Sequence, residues 1–227
     1  MATVVLSIGG SVLVPGDKDT EYISGLAVLL ARMSKRHKLF VVTGGGRTAR
    51  YYIEVGRELG MTEAQLDELG IAATRMNARI LGAALKGLAN SIPPETVEGA
   101  ASLEDTYEIV VMGGTYPGWT TDFVAASLAE HVHASKLVNA TSVDGVYSAD
   151  PRKSKKAKLL DKLTYEELIL LSGKKHMMAG PNVVFDPAAA RLIAKARIPL
   201  HVVNGRNLKA LRDSIEGRPF HGTRVEE

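Results

Sequence analysis

The chain has 227 residues, 45% of them apolar and 23% charged, with a formal net charge of +3, the profile of an ordinary soluble globular protein with a full core in one large domain or two coupled lobes. No apolar run reaches the ~18 residues of a membrane span, and the start lacks the basic-then-apolar pattern of a signal peptide. The absence of cysteine excludes disulfides and thiolate metal sites and fits a reducing cytoplasm, while a pI near 9.0 suits anionic small molecules without calling for nucleic acid.

Val4–Ile8 reads as a buried strand, followed by Gly9, Gly10 and Ser11 and then a helical pattern near Glu21–Arg36. Leu39–Val42 reads as a second strand. It leads into Thr43-Gly44-Gly45-Gly46-Arg47 and a helix near Thr48–Glu58. Consecutive glycines cost about 1 kcal/mol each in an ordered element, so three in a row imply a backbone that must approach something closely. Arg47 and Arg50 open the following helix, where a phosphate would meet the helix dipole and a guanidinium together; for both, solvated surface is the plain alternative.

A long periodic stretch, Glu63–Ala89, predicts a helix that the prolines at 93 and 94 must stop. Ile109–Met112 is the next strand, and the segment GGTYPGWTTD, Gly113–Asp122, follows it and opens into the helical pattern Phe123–His131. A strand, a glycine loop rich in hydroxyls and a helix start make an anion site. Thr115, Thr120 and Thr121 supply hydroxyls, Pro117 and Gly118 set an unusual backbone path, and Trp119 either flanks a base or packs. Asp122 reads equally as an N-cap or first-turn residue and as a catalytic candidate.

Lys136–Asn139 is a further strand, before the turn Val143-Asp144-Gly145-Val146. Tyr147 and Asp150 stand after that turn, where they could hold a nucleoside or simply shape the bend. The basic run Arg152 to Lys158 reads as a solvated loop able to carry a lysine to a phosphate. Leu200–Val203 and the helix Leu208–Ile215 close the pattern. His131, His133, His176 and His201 show no metal-ligand spacing, and no protein metal site is predicted.

Continuous apolar strands alternating with helices predict an α/β fold with a mostly parallel sheet covered on both faces. All three glycine loops fall at the carboxyl ends of strands, where such sheets bind ligands. No Gly-x-x-x-x-Gly-Lys-Ser/Thr, Gly-x-Ser-x-Gly or zinc motif is present. Three anion loops without a nucleophile suggest phosphoryl transfer, which needs positioning and charge stabilisation more than covalent partners. An acceptor that is itself a phosphate, with second pKa ~6, is already ionised at neutral pH and needs no general base.

Taken together, IGGSVL (Ile8–Leu13), GGGRTAR (Gly44–Arg50), DELGIAATRMNA (Asp67–Ala78), MGGTYPGWTTD (Met112–Asp122), VDGVYSADP (Val143–Pro151) and FDPAAARLIAKARI (Phe185–Ile198) resemble the amino acid kinase family, and within it the archaeal uridylate kinases. The resemblance spans the whole chain. It implies a single three-layer αβα domain, with an acceptor lobe over residues 1–135 and an ATP lobe over 136–227. The implied reaction passes the γ-phosphoryl of ATP to UMP with Mg²⁺, in a cytoplasmic homohexamer built from dimers, with no nucleic acid or membrane partner.

By the same resemblance, Gly10, Ser11 and Gly46 face the ATP phosphates, and Arg50 the phosphate groups. Gly45 approaches UMP, Asp67 holds its ribose, and Thr115, Tyr116, Pro117, Gly118, Trp119, Thr120 and Thr121 wrap it. Thr141, Tyr147 and Asp150 meet the ATP nucleoside. Asp186 stands where the family has an organising aspartate, with a helix N-cap as the rival role; Arg50, Gly10, Gly46 and Asp186 form the implied catalytic set. One departure stands out. Many members carry a lysine just before the first glycine loop, where this chain has Ser7. Two alternatives stay open: the same fold acting on another small acceptor, such as isopentenyl phosphate, and a nucleotide-binding oligomer without turnover.

Overall fold

The computed structural model describes residues 1–149, 154, 156–173 and 185–227. In chain order they form β1 (Ala2–Ile8), α1 (Gly10–Leu13), α2 (Asp19–Met33), β2 (His37–Thr43), α3 (Gly46–Glu58), α4 (Glu63–Ala84), α5 (Val97–Ala101), β3 (Ile109–Met112), α6 (Thr121–His131), β4 (Lys136–Thr141), β5 (Lys162–Leu163), α7 (Tyr165–Gly173), α8 (Pro187–Ala196), β6 (Leu200–Asn204), α9 (Leu208–Ile215) and β7 (Thr223–Val225).

The strands make one sheet in the order β3-β2-β1-β4-β6-β7-β5. The first five of these run parallel, and β7 lies antiparallel to β6. The predicted three-layer arrangement is therefore present. Strand pleating decides what each face buries. Val5, Phe40, Val42, Val110, Met112, Leu137 and Leu200 pack against α5, α6, α7 and α8 on one side. Val4, Leu6, Ile8, Leu39, Val41, Val111 and Val138 pack against α2, α4 and α9 on the other. Both faces are dry, which explains the near-continuous apolar strands.

Sequence and structure differ at several edges. The helix expected to reach Ala89 ends at Ala84, because Lys86 (φ 50°) and Gly87 (φ 89°) turn left-handed. Ala89 instead bridges to Ile109 beside β3. The capping box at its start, Thr62 with Gln65, fixes the other end. The short β5 and β7, and the helices α5 and α7, carry too little pattern to be legible.

Strand order reverses at β1, which has β2 on one side and β4 on the other. Chain enters one half of the sheet through β1, β2 and β3 and the other through β4 and β6. The carboxyl ends of β1, β2, β3 and β4 thus surround a topological switch point, the place where such sheets hold ligands.

Candidate active site

The first two glycine loops are packed backbone to backbone. A Cβ on Gly10 would lie 2.2 Å from the Gly46 nitrogen and 2.5 Å from the Gly44 carbonyl oxygen. Gly46 has φ +63°, and a Cβ there would lie 2.4 Å from the Gly10 carbonyl carbon. Only glycine lets the ends of β1 and β2 meet this closely. Gly44 N–H donates to the Ile8 carbonyl at 2.8 Å, which ties the loops together. Arg50, one turn into α3, donates to Ser11 Oγ at 3.1 Å and keeps its guanidinium at the surface of this junction. Arg47 packs along Gly16.

The third loop is held by α4. Tyr116-Pro117-Gly118-Trp119 is a tight turn, with Trp119 N–H donating to the Tyr116 carbonyl at 3.1 Å and Gly118 at φ +84°. Proline followed by a left-handed glycine is the type II arrangement. The Gly118 N–H donates to Asp67 Oδ2 at 2.7 Å. Gly114 N–H donates to Thr74 Oγ1 at 2.6 Å, and Arg75 donates to the carbonyls of Gly114 and Thr115. Asn77, on the same helix, donates to the Gly44 carbonyl at 2.7 Å. One helix therefore carries both the Gly44–Gly46 loop, with Gly45 against Thr74, and the Gly113–Gly118 loop.

Thr120 is the N-cap of α6, accepting from Phe123 N–H at 3.1 Å, with Thr121 and Asp122 in the first turn. Trp119 stands edge-on to Tyr116 and to Phe123, at 5.5 and 4.8 Å between ring centres.

Ser7 lies on the same face of β1 as Val5, toward α6, and its hydroxyl donates to Asp122 Oδ1 at 3.1 Å. Burial pushes the Asp122 carboxyl up to about 6, and the neighbouring Asp186 carboxylate adds to the rise. Hydrogen bonds from Ser7 and from the Asp186 backbone N–H pull the other way. Asp186 is also the N-cap of α8, taking Ala189 N–H at 2.8 Å on Oδ1, with Pro187 at the first helical position. The capping role and the place beside Asp122 coexist.

On the β4 side, the Thr141 hydroxyl closes a local turn, donating to the Val143 carbonyl at 2.9 Å. Tyr147 donates to Asp144 Oδ2 at 3.3 Å, and Asp144 also takes Asn204 Nδ2 at 3.0 Å. Asp150, His176, Arg152, Lys153 and Lys155 lie outside the described residues. Thr141 and Tyr147 are thus grouped at the β4 end, and Asp67 with Thr115–Thr121 at the β3 end. Gly10, Ser11, Gly46 and Arg50 stand between them.

The sequence reading left out Ser7 as a partner of Asp122, and Thr74, Arg75 and Asn77 as holders of the loops. The signal for Thr74 and Asn77 is periodic: positions 67, 74 and 77 recur at helical spacing along one polar line of α4. Among the described residues, no cluster of three or more metal-ligating side chains is present.

Residues 2–204 match the model of the amino acid kinase family. The chain is 48% identical over 225 residues to a uridylate kinase of Thermoplasma volcanium, covering 99% of this chain and 98% of that protein. It is 44% identical over 223 residues to a uridylate kinase of Pyrococcus abyssi, at 98% and 99% coverage. The crystal structure of uridylate kinase from Archaeoglobus fulgidus superposes with a TM-score of 0.89 at 40% identity, covering 99% of this chain and all of that one.

Proposed function

Because the chain belongs to the amino acid kinase family, we propose the following reading of its site: it is a uridylate kinase, a nucleoside monophosphate kinase that transfers the γ-phosphoryl of ATP to UMP and yields UDP and ADP. The observation that carries this reading is the acceptor loop. In a chain so similar to uridylate kinases, Gly113–Asp122 is tied by Gly118 N–H to the Asp67 carboxylate and sits beside the Gly44–Gly46 loop.

UMP lies toward residues 1–135. Asp67 uses one oxygen for Gly118 and keeps the other for a ribose hydroxyl. Gly45 approaches the nucleotide, and Thr115 through Thr121 line it. ATP lies toward residues 136–227, with its nucleoside near Thr141, Tyr147 and Asp150 and its phosphates over Gly10, Ser11 and Gly46. The UMP phosphate is already ionised near neutral pH, so no side chain has to remove a proton. Backbone N–H groups of the glycine loops and the Arg50 guanidinium meet the charge that spreads over the transferring group. Arg50 reaches this position because its contact to Ser11 is at the surface, free to be exchanged for a phosphate oxygen.

Asp122 and Asp186 fit a magnesium ion. Burial first, and the charge of the neighbouring Asp186 carboxylate after it, raise the Asp122 pKa, and a cation held by the two residues would relieve both. Magnesium takes one or two carboxylates and leaves its other positions to water and phosphate oxygens. When bound, it would supply positive charge that offsets the nucleotide phosphates. Ser7 orients Asp122 for that task and carries no charge of its own.

A cytoplasmic location, a role in pyrimidine nucleotide (CTP) supply and assembly as a homohexamer built from dimers complete the proposal. The assembly has physical support in α3 and its C-cap, which expose Tyr51, Tyr52, Val55 and Leu59. An apolar patch of this kind marks an interaction face. Among the described residues, no helix is long and apolar enough to cross a membrane.

The test is ADP release from ATP and Mg²⁺ with UMP, CMP, dUMP, carbamate, N-acetylglutamate and isopentenyl phosphate supplied in parallel. Turnover with UMP well above the others is expected. ATP binding without turnover on any acceptor would overturn the reading in favour of a nucleotide-binding oligomer.

A further inference from the structure

We propose that Arg75 is a positioning residue for the acceptor nucleotide, acting through the backbone of the Gly113–Gly118 loop; this rests on the reading of that loop as the UMP site. Arg75 sits on α4, and one guanidinium makes three attachments. Nε donates to the Gly114 carbonyl at 3.2 Å, Nη2 donates to the Thr115 carbonyl at 3.4 Å, and Nη1 lies 3.0 Å from the Glu95 carboxylate. Its neighbour Thr74 accepts the Gly114 N–H. The loop is thus fixed at its start by residues 74 and 75 and at its turn by Asp67.

These contacts have a consequence for Thr115. Its side chain is buried, 5% exposed, and its hydroxyl has no hydrogen-bond partner among the described residues. A buried hydroxyl without a partner costs about 1–3 kcal/mol. Thr115 lines a cavity of about 550 Å³ together with Ile71, Arg75, Tyr116 and Pro117. Ile71, Tyr116 and Pro117 give walls that suit a flat ring, while Glu68, Arg79 and Glu95 add charge along the same cavity and suit a ligand with polar edges. Arg75 and Thr74 occupy the backbone polar groups of Gly114 and the carbonyl of Thr115. The Thr115 hydroxyl is covered and unpaired among the described residues, so the path of the loop, which Arg75 and Thr74 set, decides whether a ligand can meet it.

Planar Arg75 can span two carbonyls and a carboxylate at once, whereas an ammonium cannot hold all three in one geometry. Among the described residues, no hydrogen bond or ion pair joins Arg75 to Thr141, Tyr147 or the Gly9–Ser11 loop. Its loss therefore acts on one substrate.

The experiment measures kcat, the KM for UMP and the KM for ATP in the wild type, Arg75→Ala, Arg75→Lys and Glu95→Gln, with melting temperatures alongside. Arg75→Ala is expected to raise the KM for UMP at least tenfold and to leave the KM for ATP within twofold. Arg75→Lys should fall between it and the wild type. Glu95→Gln, which releases only the outer anchor, should raise the KM for UMP about threefold. If Arg75→Ala fails to fold, Arg75→Lys and Glu95→Gln still decide the matter. Equal shifts in both KM values, or no shift in a wild type that uses UMP, would overturn the proposal alone. A wild type that phosphorylates no UMP would overturn the acceptor reading and this proposal with it.

Discussion

The Ser7 hydroxyl donates to Asp122 Oδ1 at 3.1 Å, from the last turn of pleat in β1 to the first turn of α6. Ser7 is only 3% exposed, so water cannot take over its place. A hydrogen bond to a charged group contributes about 1.5–3 kcal/mol. Ser7→Ala is therefore expected to lower kcat about tenfold or more, with both KM values little changed, because Asp122 loses its orientation and no substrate contact is removed. Steady-state kinetics checks this; unchanged kcat would mean that Asp186 and α6 hold Asp122 unaided.

The same contact sets a pH dependence. Burial and Asp186 raise the Asp122 pKa to about 6, and Ser7 pulls it down. The carboxylate form is the one that holds the cation, and protons compete with the cation for it, so turnover at subsaturating Mg²⁺ should fall about tenfold per unit as pH drops below about 6. In Ser7→Ala the midpoint should move upward, since the bond that favours the charged form is gone. A profile at subsaturating Mg²⁺ that stays flat between pH 5 and 7 would show that Asp122 ionisation does not limit turnover.

Much of this was readable from the residues, and the unreadable part has a physical cause. The strands β1 to β4 and β6 are apolar runs buried on both faces, and α9 falls on Leu208–Ile215 as its periodicity predicts. The glycine loops announced themselves by composition. The close approach of Gly10 to Gly46 is a tertiary fact, joining the ends of two different strands. Ser7 looks like any strand residue until the pleat and the β3-to-β4 crossover bring α6 over it. Arg75 was equally silent, because an arginine on a helix reads as solvated surface until Gly114 and Thr115 are found beneath it.

Asp67 has two oxygens and, among the described residues, one hydrogen-bond partner, Gly118 N–H at 2.7 Å. Asp67→Asn keeps an acceptor for that N–H through its amide oxygen and removes the charge. The expected result is a KM for UMP raised about tenfold, with the KM for ATP changed less than twofold, since a hydrogen bond from a ribose hydroxyl to a carboxylate is stronger than to an amide. Isothermal titration with each nucleotide separately would check the split. Equal losses for both would assign Asp67 to holding the loop alone.

Arg50 is exposed and bonded only to Ser11 Oγ among the described residues, at 3.1 Å. Its removal should cost little stability, because an exposed contact of this kind is worth little. Its removal should cost much turnover: one donor to a developing negative charge supplies roughly 3 kcal/mol in a catalytic site. Arg50→Ala is expected to lower kcat about a hundredfold while the melting temperature stays within about 2 °C. Near-normal turnover would return Arg50 to the surface.

Two buried groups titrate in opposition and shape the acid stability of the fold. His201 lies on β6, its Nδ1 3.2 Å from the Ser214 carbonyl and its ring 4.8 Å from that of Phe220. Burial, then Lys136 and Arg224, push its pKa down to about 4. Below pH ~6.5 the unfolded chain binds a proton at this histidine and the folded chain does not. Folding stability therefore falls as pH drops from about 6.5 to 4, by on the order of 3 kcal/mol. Asp122 has the reverse sign. Its folded pKa is raised to about 6, so the folded state binds the proton first, and its contribution is full at low pH and is lost as pH rises toward 6. The two windows overlap, and the wild type should lose little stability between pH 6.5 and 4 from this pair. Asp122→Asn removes the offset and exposes the histidine, so its stability should drop steeply over the same range. Denaturant unfolding of both proteins at pH 6.5, 5 and 4 decides it: parallel curves would show that Asp122 does not offset the histidine, and a flat Asp122→Asn curve would show that His201 does not govern the acid limb.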